Sequence, residues 1–156
     1  MGPQQTVSEA IEEFCRLDGE TETQEKALGT IITLLGAQKV TFSGAIAMMQ
    51  GVLTHPDDLV RARGTVLLGR MLQHPAKLPM PRQVLQVVST FLAQRLDDVP
   101  CTEEVLTGCL ALLSNYDLPT DNVKSIIEGF FKEINTQTSP RRVREQIFEM
   151  FSVWLT

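Results

Sequence analysis

Residues that could carry out acid–base or nucleophilic chemistry are few and widely separated in this chain. It has two histidines, His55 and His74, each next to a proline, and no convincing cysteine, serine or metal-ligand set lies near either one. Nucleophilic and general-base catalysis both need such groups within hydrogen-bonding reach of one another. Both histidines are therefore predicted to be turn residues. The sequence predicts no catalytic residue and a protein that is not an enzyme.

The cysteines also argue against a chemical site. Cys15, Cys101 and Cys109 are odd in number and far apart, and no Cys-x-x-Cys pair occurs. This spacing does not favour a disulfide framework, a zinc site or a protein-held iron–sulfur cluster. Free cysteine often packs as a small apolar side chain. We therefore predict three buried, reduced thiols, no metal and no cofactor.

Arginines are the best candidates for recognition. The predicted second helices of hairpins carry Arg61, Arg63, Arg70, Arg141, Arg142 and Arg144. Guanidinium groups bind carboxylates in a bidentate manner, so such helices could bind acidic segments of a partner. Arg61 and Arg144 each follow a valine near a helix start, which favours a structural contact with an Asp or carbonyl of a neighbouring repeat. The candidate partner-binding residues are Arg63, Arg141 and Arg142, with solvated positions as the alternative.

The segment from His55 to Gly69 predicts the helix that positions the first of these arginines. Pro56 ends the preceding helix, and Asp57 and Asp58 place carboxylates where the first backbone N–H groups lack partners. Two adjacent apolar stripes follow, and both are predicted to be buried between neighbouring helices. Their members are Val60, Gly64, Leu67 and Met71 in one stripe and Leu59, Ala62 and Val66 in the other. Leu67 is predicted to be among the most buried side chains, and Gly64 and Gly69 to allow close approach of helices.

The rest of the chain repeats this arrangement. A capping box at Thr6–Glu9 predicts the start of a first helix that extends to about Leu17. The first helices of hairpins two, three and four are predicted to begin near 41, 81 and 120, with Pro81 in the first helical position. Second helices are predicted from Thr102 to Asn115 and after Ser139-Pro140. The steps of 40 and 39 residues are close to the roughly 40 to 47 residues of a HEAT repeat.

These patterns predict an all-α protein, an α-solenoid of about eight helices in four HEAT-type hairpins with a right-handed superhelical sense. One domain is expected over residues 1–156, the N-terminal part of a longer solenoid. Residues expected to stack one repeat on the next are Val60, Arg61, Leu67, Val143 and Arg144.

Composition and charge narrow the choice of partner. Apolar residues are 43% of the chain, its net charge is −5, and its sequence pI is near 5.0. An acidic chain without clustered lysine and arginine does not favour direct nucleic-acid binding. No uncharged apolar run reaches the roughly 20 residues that span a bilayer. We expect an intracellular protein that does not contact the membrane and whose partners are other proteins.

The last predicted helix is more apolar than a solenoid end normally is. Phe148, Phe151 and Trp154 are expected to form an exposed interface at this end of the chain. This pattern predicts that the natural solenoid continues, and that the isolated chain associates with itself through this helix.

Several blocks resemble one family. They are Leu59-Val60-Arg61-Ala62-Arg63-Gly64 with Leu67-Leu68, then Arg95-Leu96-Asp97-Asp98, Val105-Leu106-Thr107-Gly108, Leu118-Pro119 and Phe131 to Gln137. In this order they resemble the N-terminal domain of the Mms-nineteen family over about residues 40 to 155. Val-Arg with a Leu pair is common in HEAT repeats, whereas the later blocks are specific.

The resemblance implies a non-catalytic scaffold of cytosolic iron–sulfur protein assembly, linked to nucleotide excision repair and transcription. Its partners would be apo client proteins such as DNA repair helicases and polymerases, in the cytoplasm and the nucleus. In the family, the assembly partners bind C-terminal repeats that this chain lacks, so their binding is not carried over. The alternative is a HEAT module of another adaptor: a transport receptor, a chromosome-organising subunit or a phosphatase scaffold.

Overall fold

A computed structural model describes residues 2–74, 78, 80–135 (backbone only at 133–135), 141, 145 and 148. Within these residues seven α-helices have defined bounds: α1 Pro3–Cys15, α2 Thr21–Gly36, α3 Phe42–Leu53, α4 Asp58–Gln73, α5 Arg82–Gln94, α6 Thr102–Asn115 and α7 Thr120–Asn135. Two short 3-10 turns, Arg95–Asp97 and Val99–Cys101, join α5 to α6. No strand occurs among the described residues, and the predicted all-α, solenoid-like fold is confirmed.

Most helices begin within one or two residues of the predicted positions. The Thr41 hydroxyl accepts a hydrogen bond from the Gly44 backbone N–H at 3.0 Å, which satisfies a donor that has no partner in the first turn of α3. Helices α6 and α7 begin at the predicted residues, Thr102 and Thr120. The first helices α3, α5 and α7 begin at residues 42, 82 and 120, so the period near 40 residues is present in the structure.

Helix α1 begins earlier than predicted, and the capping-box prediction is wrong. Pro3 is its first residue, where proline loses no helical hydrogen bond, and Gly2 is the N-cap. Thr6 lies inside the first turn, and its hydroxyl donates to the Gly2 carbonyl at 3.1 Å. The helix ends at Cys15, so Leu17 lies beyond it and is 42% exposed. Pro81 is likewise the N-cap of α5, one residue before the predicted position.

The chain forms two compact units, Met1–Met80 and Pro81–Thr156. In the N-terminal unit, α1 packs against α2, α3 and α4, while α3 and α2 each pack against α4. Its largest fully buried side chains are Phe14, Ile31, Met49, Leu67, Leu68, Met71 and Leu72. The predicted burial of Leu67 is confirmed, and Met49 is fully buried in the same core.

Gly64 allows α3 and α4 to approach closely, as predicted. A Cβ at this position would lie 3.1 Å from Val52 Cγ2 and 3.4 Å from the Val52 carbonyl carbon. A larger side chain would therefore push against the backbone of the partner helix. Gly69 is buried as well.

One of the two predicted α4 stripes does not face the core. Leu59 is 63% exposed and Val66 is 38% exposed, whereas Leu68 and Leu72 are buried. The helices that pack on α4 contact the side that carries Leu68 and Leu72. Leu59 and Val66, seven residues apart and therefore on one face of the helix, are left on the outside.

In the C-terminal unit, α5 packs against both α6 and α7. The largest fully buried side chains of this unit are Leu92, Leu106, Leu112, Ile126 and Phe130. Gly108 of α6 repeats the device of α4, since a Cβ there would lie 3.3 Å from Leu92 Cδ2 of α5. None of the described helices is long and apolar enough to cross a membrane. The HEAT type of the hairpins, the right-handed sense and the single domain stay predictions.

Candidate protein-binding surface

The turn before α4 fixes the start of this helix. The Asp57 carboxylate accepts the Leu59 backbone N–H at 2.9 Å, and His55 Nδ1 accepts the Asp57 N–H at 3.0 Å. Asp58 adds a second carboxylate in the first turn, where the helix dipole favours negative charge. His55 is thus the turn residue that the sequence predicted.

Arg61 stabilises the same turn from within the helix. One guanidinium nitrogen donates to the carbonyls of His55 and Pro56 at 2.8 and 3.1 Å, and another contacts the Asp58 carboxylate. The Arg61 side chain is only 15% exposed. These contacts agree with a structural role, but they reach the turn of its own hairpin rather than a neighbouring repeat.

Arg63 joins α4 to the end of α1. Its guanidinium donates to the carbonyls of Arg16 and Leu17 at 3.2 and 3.5 Å. Those carbonyls follow the last turn of α1, where backbone acceptors have no helical donor and the dipole favours a cation. Arg63, predicted to bind a partner, thus has an internal contact through part of its guanidinium, and its binding of a partner stays a prediction.

Arg70 forms a second connection, to α2. Two of its nitrogens lie 2.9 Å from the two carboxylate oxygens of Glu25, a bidentate pair. The hydrogen bond from Arg70 lowers the pKa of the Glu25 carboxyl and raises that of Arg70. Because both side chains are about half exposed, the pair contributes little to stability and mainly fixes the two side chains.

These residues form one exposed surface, which we call the α4 outer face: Leu59, Arg63, Val66 and Arg70. Their spacing of four, three and four residues places them on one side of the helix. Two exposed apolar side chains therefore alternate with two arginines that are held in place by α1 and α2. Fixed cations beside uncovered apolar groups can bind a partner that carries both apolar and acidic side chains.

The structure brings only some of the predicted site residues together. Arg141 lies in the C-terminal unit, where it pairs with Glu145 at 2.9 Å and is largely exposed. Phe148 is 61% exposed, as expected for an interface residue. The other predicted residues of this region lie outside the described part of the chain, so their roles and the self-association through Phe148 stay predictions; they are Arg142, Val143, Arg144, Phe151 and Trp154.

Two members of the α4 outer face were missed as surface residues. Leu59 and Val66 were assigned to the core because their spacing fits a buried stripe as well as an exposed one. The position of Leu59 directly after two aspartates in the first helical turn was the available signal, since such turns are usually solvated. No sequence signal pointed to Glu25 as the partner of Arg70.

The cysteines are buried and free, as predicted. Burial raises the pKa of Cys109 to about 12. It raises the pKa of Cys15 to about 11, with the nearby Arg63 charge acting in the opposite direction. Among the described residues no three His, Cys, Asp or Glu side chains are placed to hold a metal ion.

Comparison with known proteins decides the family. Residues 46–156 match the MMS19_N family, described as "Dos2-interacting transcription regulator of RNA-Pol-II". The chain belongs to the MMS19 family. The match confirms the resemblance found in the sequence. The matched range includes α4, the helix that carries the candidate surface.

Three MMS19 relatives extend the match toward the N-terminus. The MMS19 nucleotide excision repair protein homologs of Dictyostelium discoideum and Arabidopsis thaliana are 21% and 27% identical over 92% and 98% of this chain. The MMS19 nucleotide excision repair protein of Drosophila melanogaster is 30% identical over 75% of it. The chain spans only 13%, 14% and 12% of these proteins. No solved structure matches the chain at a significant level.

Proposed function

We propose that this chain is a protein-binding part of an MMS19-type adaptor, which binds client proteins for cytosolic iron–sulfur cluster delivery and is linked to DNA repair and transcription. Membership of the MMS19 family carries this proposal. The names of the relatives refer to nucleotide excision repair, and the family description refers to transcription by RNA polymerase II. The clients would be apo iron–sulfur proteins such as repair helicases and polymerases, in the cytoplasm and nucleus.

A non-catalytic role is part of the proposal. His55 lies in the turn before α4 and His74 is the C-cap residue of α4, and the raised pKa values of Cys15 and Cys109 make these thiols poor nucleophiles. The described residues offer no group placed to hold a metal, so the chain would bind clients without holding a cluster itself. Its contribution would be recognition, through protein surface alone.

The α4 outer face is the proposed client-binding surface of the N-terminal unit. Leu59 is the most exposed apolar side chain of α4, and Val66 follows two turns later. Arg63 and Arg70 are already ordered by internal contacts, so less side-chain entropy would be lost when a partner binds beside them. A client segment that carries an apolar ridge flanked by carboxylates matches this pattern.

Capture of a purified client tests the proposal. The chain is immobilised and exposed to a DNA repair helicase prepared in its apo form and in its cluster-loaded form. We expect the apo form to bind at least about 10-fold more tightly, because an adaptor for delivery must release the loaded product. Equal affinity for the two forms, or no binding of either, would contradict the proposal.

A pair of matched variants locates the binding surface. Leu59→Asp with Val66→Asp places two charges on the α4 outer face, and Val87→Asp with Val99→Asp places two on exposed apolar positions of the C-terminal unit. We expect the first pair to weaken client binding at least about 10-fold, and the second less than about 2-fold, since buried apolar contacts dominate interface energies. The reverse order would exclude the α4 outer face.

A further inference from the structure

A second surface lies between α1 and α2, and it is acidic whereas the α4 outer face is basic. The two helices pack side by side and leave an open groove of about 670 Å3. Its lining comes from these two helices and from Arg16, the residue after α1, and includes no residue of α4. Ala10 and Ala27 lie at its base, 6% and 3% exposed, and their small side chains leave the space between the helices unfilled.

The sides of the groove are mainly acidic. The lining has four glutamates against two cations, Arg16 and Lys26, which leaves two negative charges in excess; the glutamates are Glu9, Glu12, Glu13 and Glu22. Within the described part of the chain, the carboxylates of Glu12, Glu13 and Glu22 have no hydrogen-bond or ion-pair partner. Glu25 of α2, which does not line the groove, is by contrast paired with Arg70. The groove therefore concentrates negative charge that the fold itself does not use.

The arrangement of the carboxylates indicates the shape of the ligand. A bound metal ion would need several carboxylates that converge on one point, and no such group exists among the described residues. The glutamates instead follow the helices, and Glu9 and Glu13 are one turn apart, which is about 6 Å along α1. Charges spread along a groove are complementary to an extended polycation.

We propose that the groove between α1 and α2 binds a basic segment of a partner protein, with arginine or lysine side chains spaced about one helical turn apart. Guanidinium groups would form charge-assisted hydrogen bonds with Glu12, Glu13 and Glu22, and the alkyl part of each arginine would pack over Ala10 and Ala27. No residue of the α4 outer face lines this groove, and the two surfaces adjoin where Arg63 contacts the Arg16 carbonyl. A partner could thus bind through basic residues while a client binds α4.

Peptides of defined charge test the proposal directly. The probe is a fluorescent 16-residue alanine-based peptide with arginine at every fourth position, and its counterpart has glutamate in place of arginine. At physiological salt we expect the whole chain to bind the arginine peptide at least about 10-fold more tightly than the glutamate peptide, measured by fluorescence anisotropy. Equal binding of the two peptides, or no binding of the arginine peptide, would overturn the proposal.

A matched pair of charge reversals distinguishes the groove from the overall acidity of the chain. Glu12→Lys with Glu13→Lys changes the groove, and Asp97→Lys with Asp117→Lys makes the same charge change at exposed positions of the C-terminal unit. We expect the groove pair to weaken binding of the arginine peptide at least about 10-fold and the control pair less than about 3-fold, because distant charges are screened. Equal losses would mean that only net charge matters.

A single reversal on the other helix keeps the test decisive if the double variant is poorly folded. Glu22 is exposed on α2, so Glu22→Lys leaves the helix packing intact. We expect it to weaken binding by about 3-fold or more, and unchanged binding would exclude α2 from the site. Client capture does not involve these residues, so failure of the groove proposal leaves the proposed function standing.

Discussion

Helices α4 and α6 hold similar positions in their units but differ in the basic residues that they carry. Each is the second helix of a hairpin, and each has a buried glycine against its partner helix, Gly64 in α4 and Gly108 in α6. Helix α4 carries three arginines, whereas the sequence of α6 contains no lysine or arginine. The buried glycine allows close packing of the two helices in each hairpin. The residues outside the core determine what the outer surface of each helix can bind.

The two units also differ in the electrostatic surroundings of their buried cysteines. Cys15 lies at the end of α1 near Arg63, while Cys109 lies within α6, and the burial that raises its pKa is not opposed by a nearby cation. The arginines of α4 thus alter the electrostatics of a buried residue as well as the surface. In α6 burial acts by itself.

Thiol reactivity is expected to show the largest effect. At pH 8, pKa values of about 12 for Cys109 and about 11 for Cys15, against 9.0 for a free thiol, imply thiolate fractions lower by about 1000-fold and about 100-fold than in the unfolded chain, and native reaction rates lower by at least these factors. Single-cysteine variants and a chromogenic disulfide reagent, with and without guanidinium chloride, would measure both rates. Arg63→Gln should slow Cys15 and leave Cys109 unchanged. Equal native rates at the two thiols would contradict the difference between the units.

Removal of core leucines should affect both units alike. Leu67 in α4 and Leu112 in α6 are each 0% exposed. Leu67→Ala and Leu112→Ala are both expected to lower the free energy of unfolding by about 2 to 5 kcal/mol, because each leaves a cavity. Urea denaturation followed by circular dichroism measures this loss. Val66→Ala on the α4 outer face is the control, and a loss as large as that of Leu67→Ala would mean that the inner side of α4 is misplaced.

Arg63 should matter less than the core. Arg63→Ala removes the hydrogen bonds to the Arg16 and Leu17 carbonyls, and because these lie near solvent we expect a loss of about 1 kcal/mol. Arg63→Lys should recover only part of it, since an ammonium group lacks the planar fork that reaches both carbonyls. The same urea measurement applies. Full recovery by lysine would indicate that charge, and not the fork, joins α4 to α1.

The Arg70–Glu25 pair should show the smallest effect. A double-mutant cycle with Arg70→Ala and Glu25→Ala is expected to give a coupling of about 0.2 to 1 kcal/mol, because both side chains are about half exposed. The coupling should decrease at 1 M salt. A coupling above about 2 kcal/mol would contradict this expectation. It would show that the Arg70–Glu25 pair stabilises the N-terminal unit strongly, in a way not open to α6, which has no lysine or arginine.

The sequence predicted the helices well because their ends depend on neighbouring residues. The helix starts near Thr41 and at Asp57 and Asp58 were predicted from the local sequence, and the structure has Thr41 and Asp57 there as N-caps. The start of α1 was wrong because Pro3 permits a helix upstream of the Thr6–Glu9 pattern, so two local signals competed. The 3-10 turns at Arg95–Asp97 and Val99–Cys101 had no clear signal either.

The candidate surface was harder to predict because it depends on tertiary packing. Periodicity shows which residues share a face, but it does not show where the neighbouring helices lie, and Leu59 and Val66 were therefore placed inside. The contacts of Arg63 and Arg70 join residues 47 and 45 positions apart, beyond any local pattern. The family resemblance rested on specific sequence blocks and was confirmed.

Site-specific photo-crosslinking tests the central claim, that α4 binds the client and α6 does not. A benzophenone amino acid is placed at Val66 on the α4 outer face or at Thr107, an exposed position of α6, and each chain is irradiated with an apo DNA repair helicase. Binding through α4 predicts a crosslinked product from position 66 that decreases with the cluster-loaded helicase, and none from position 107. Crosslinking from position 107 with none from position 66 would contradict it.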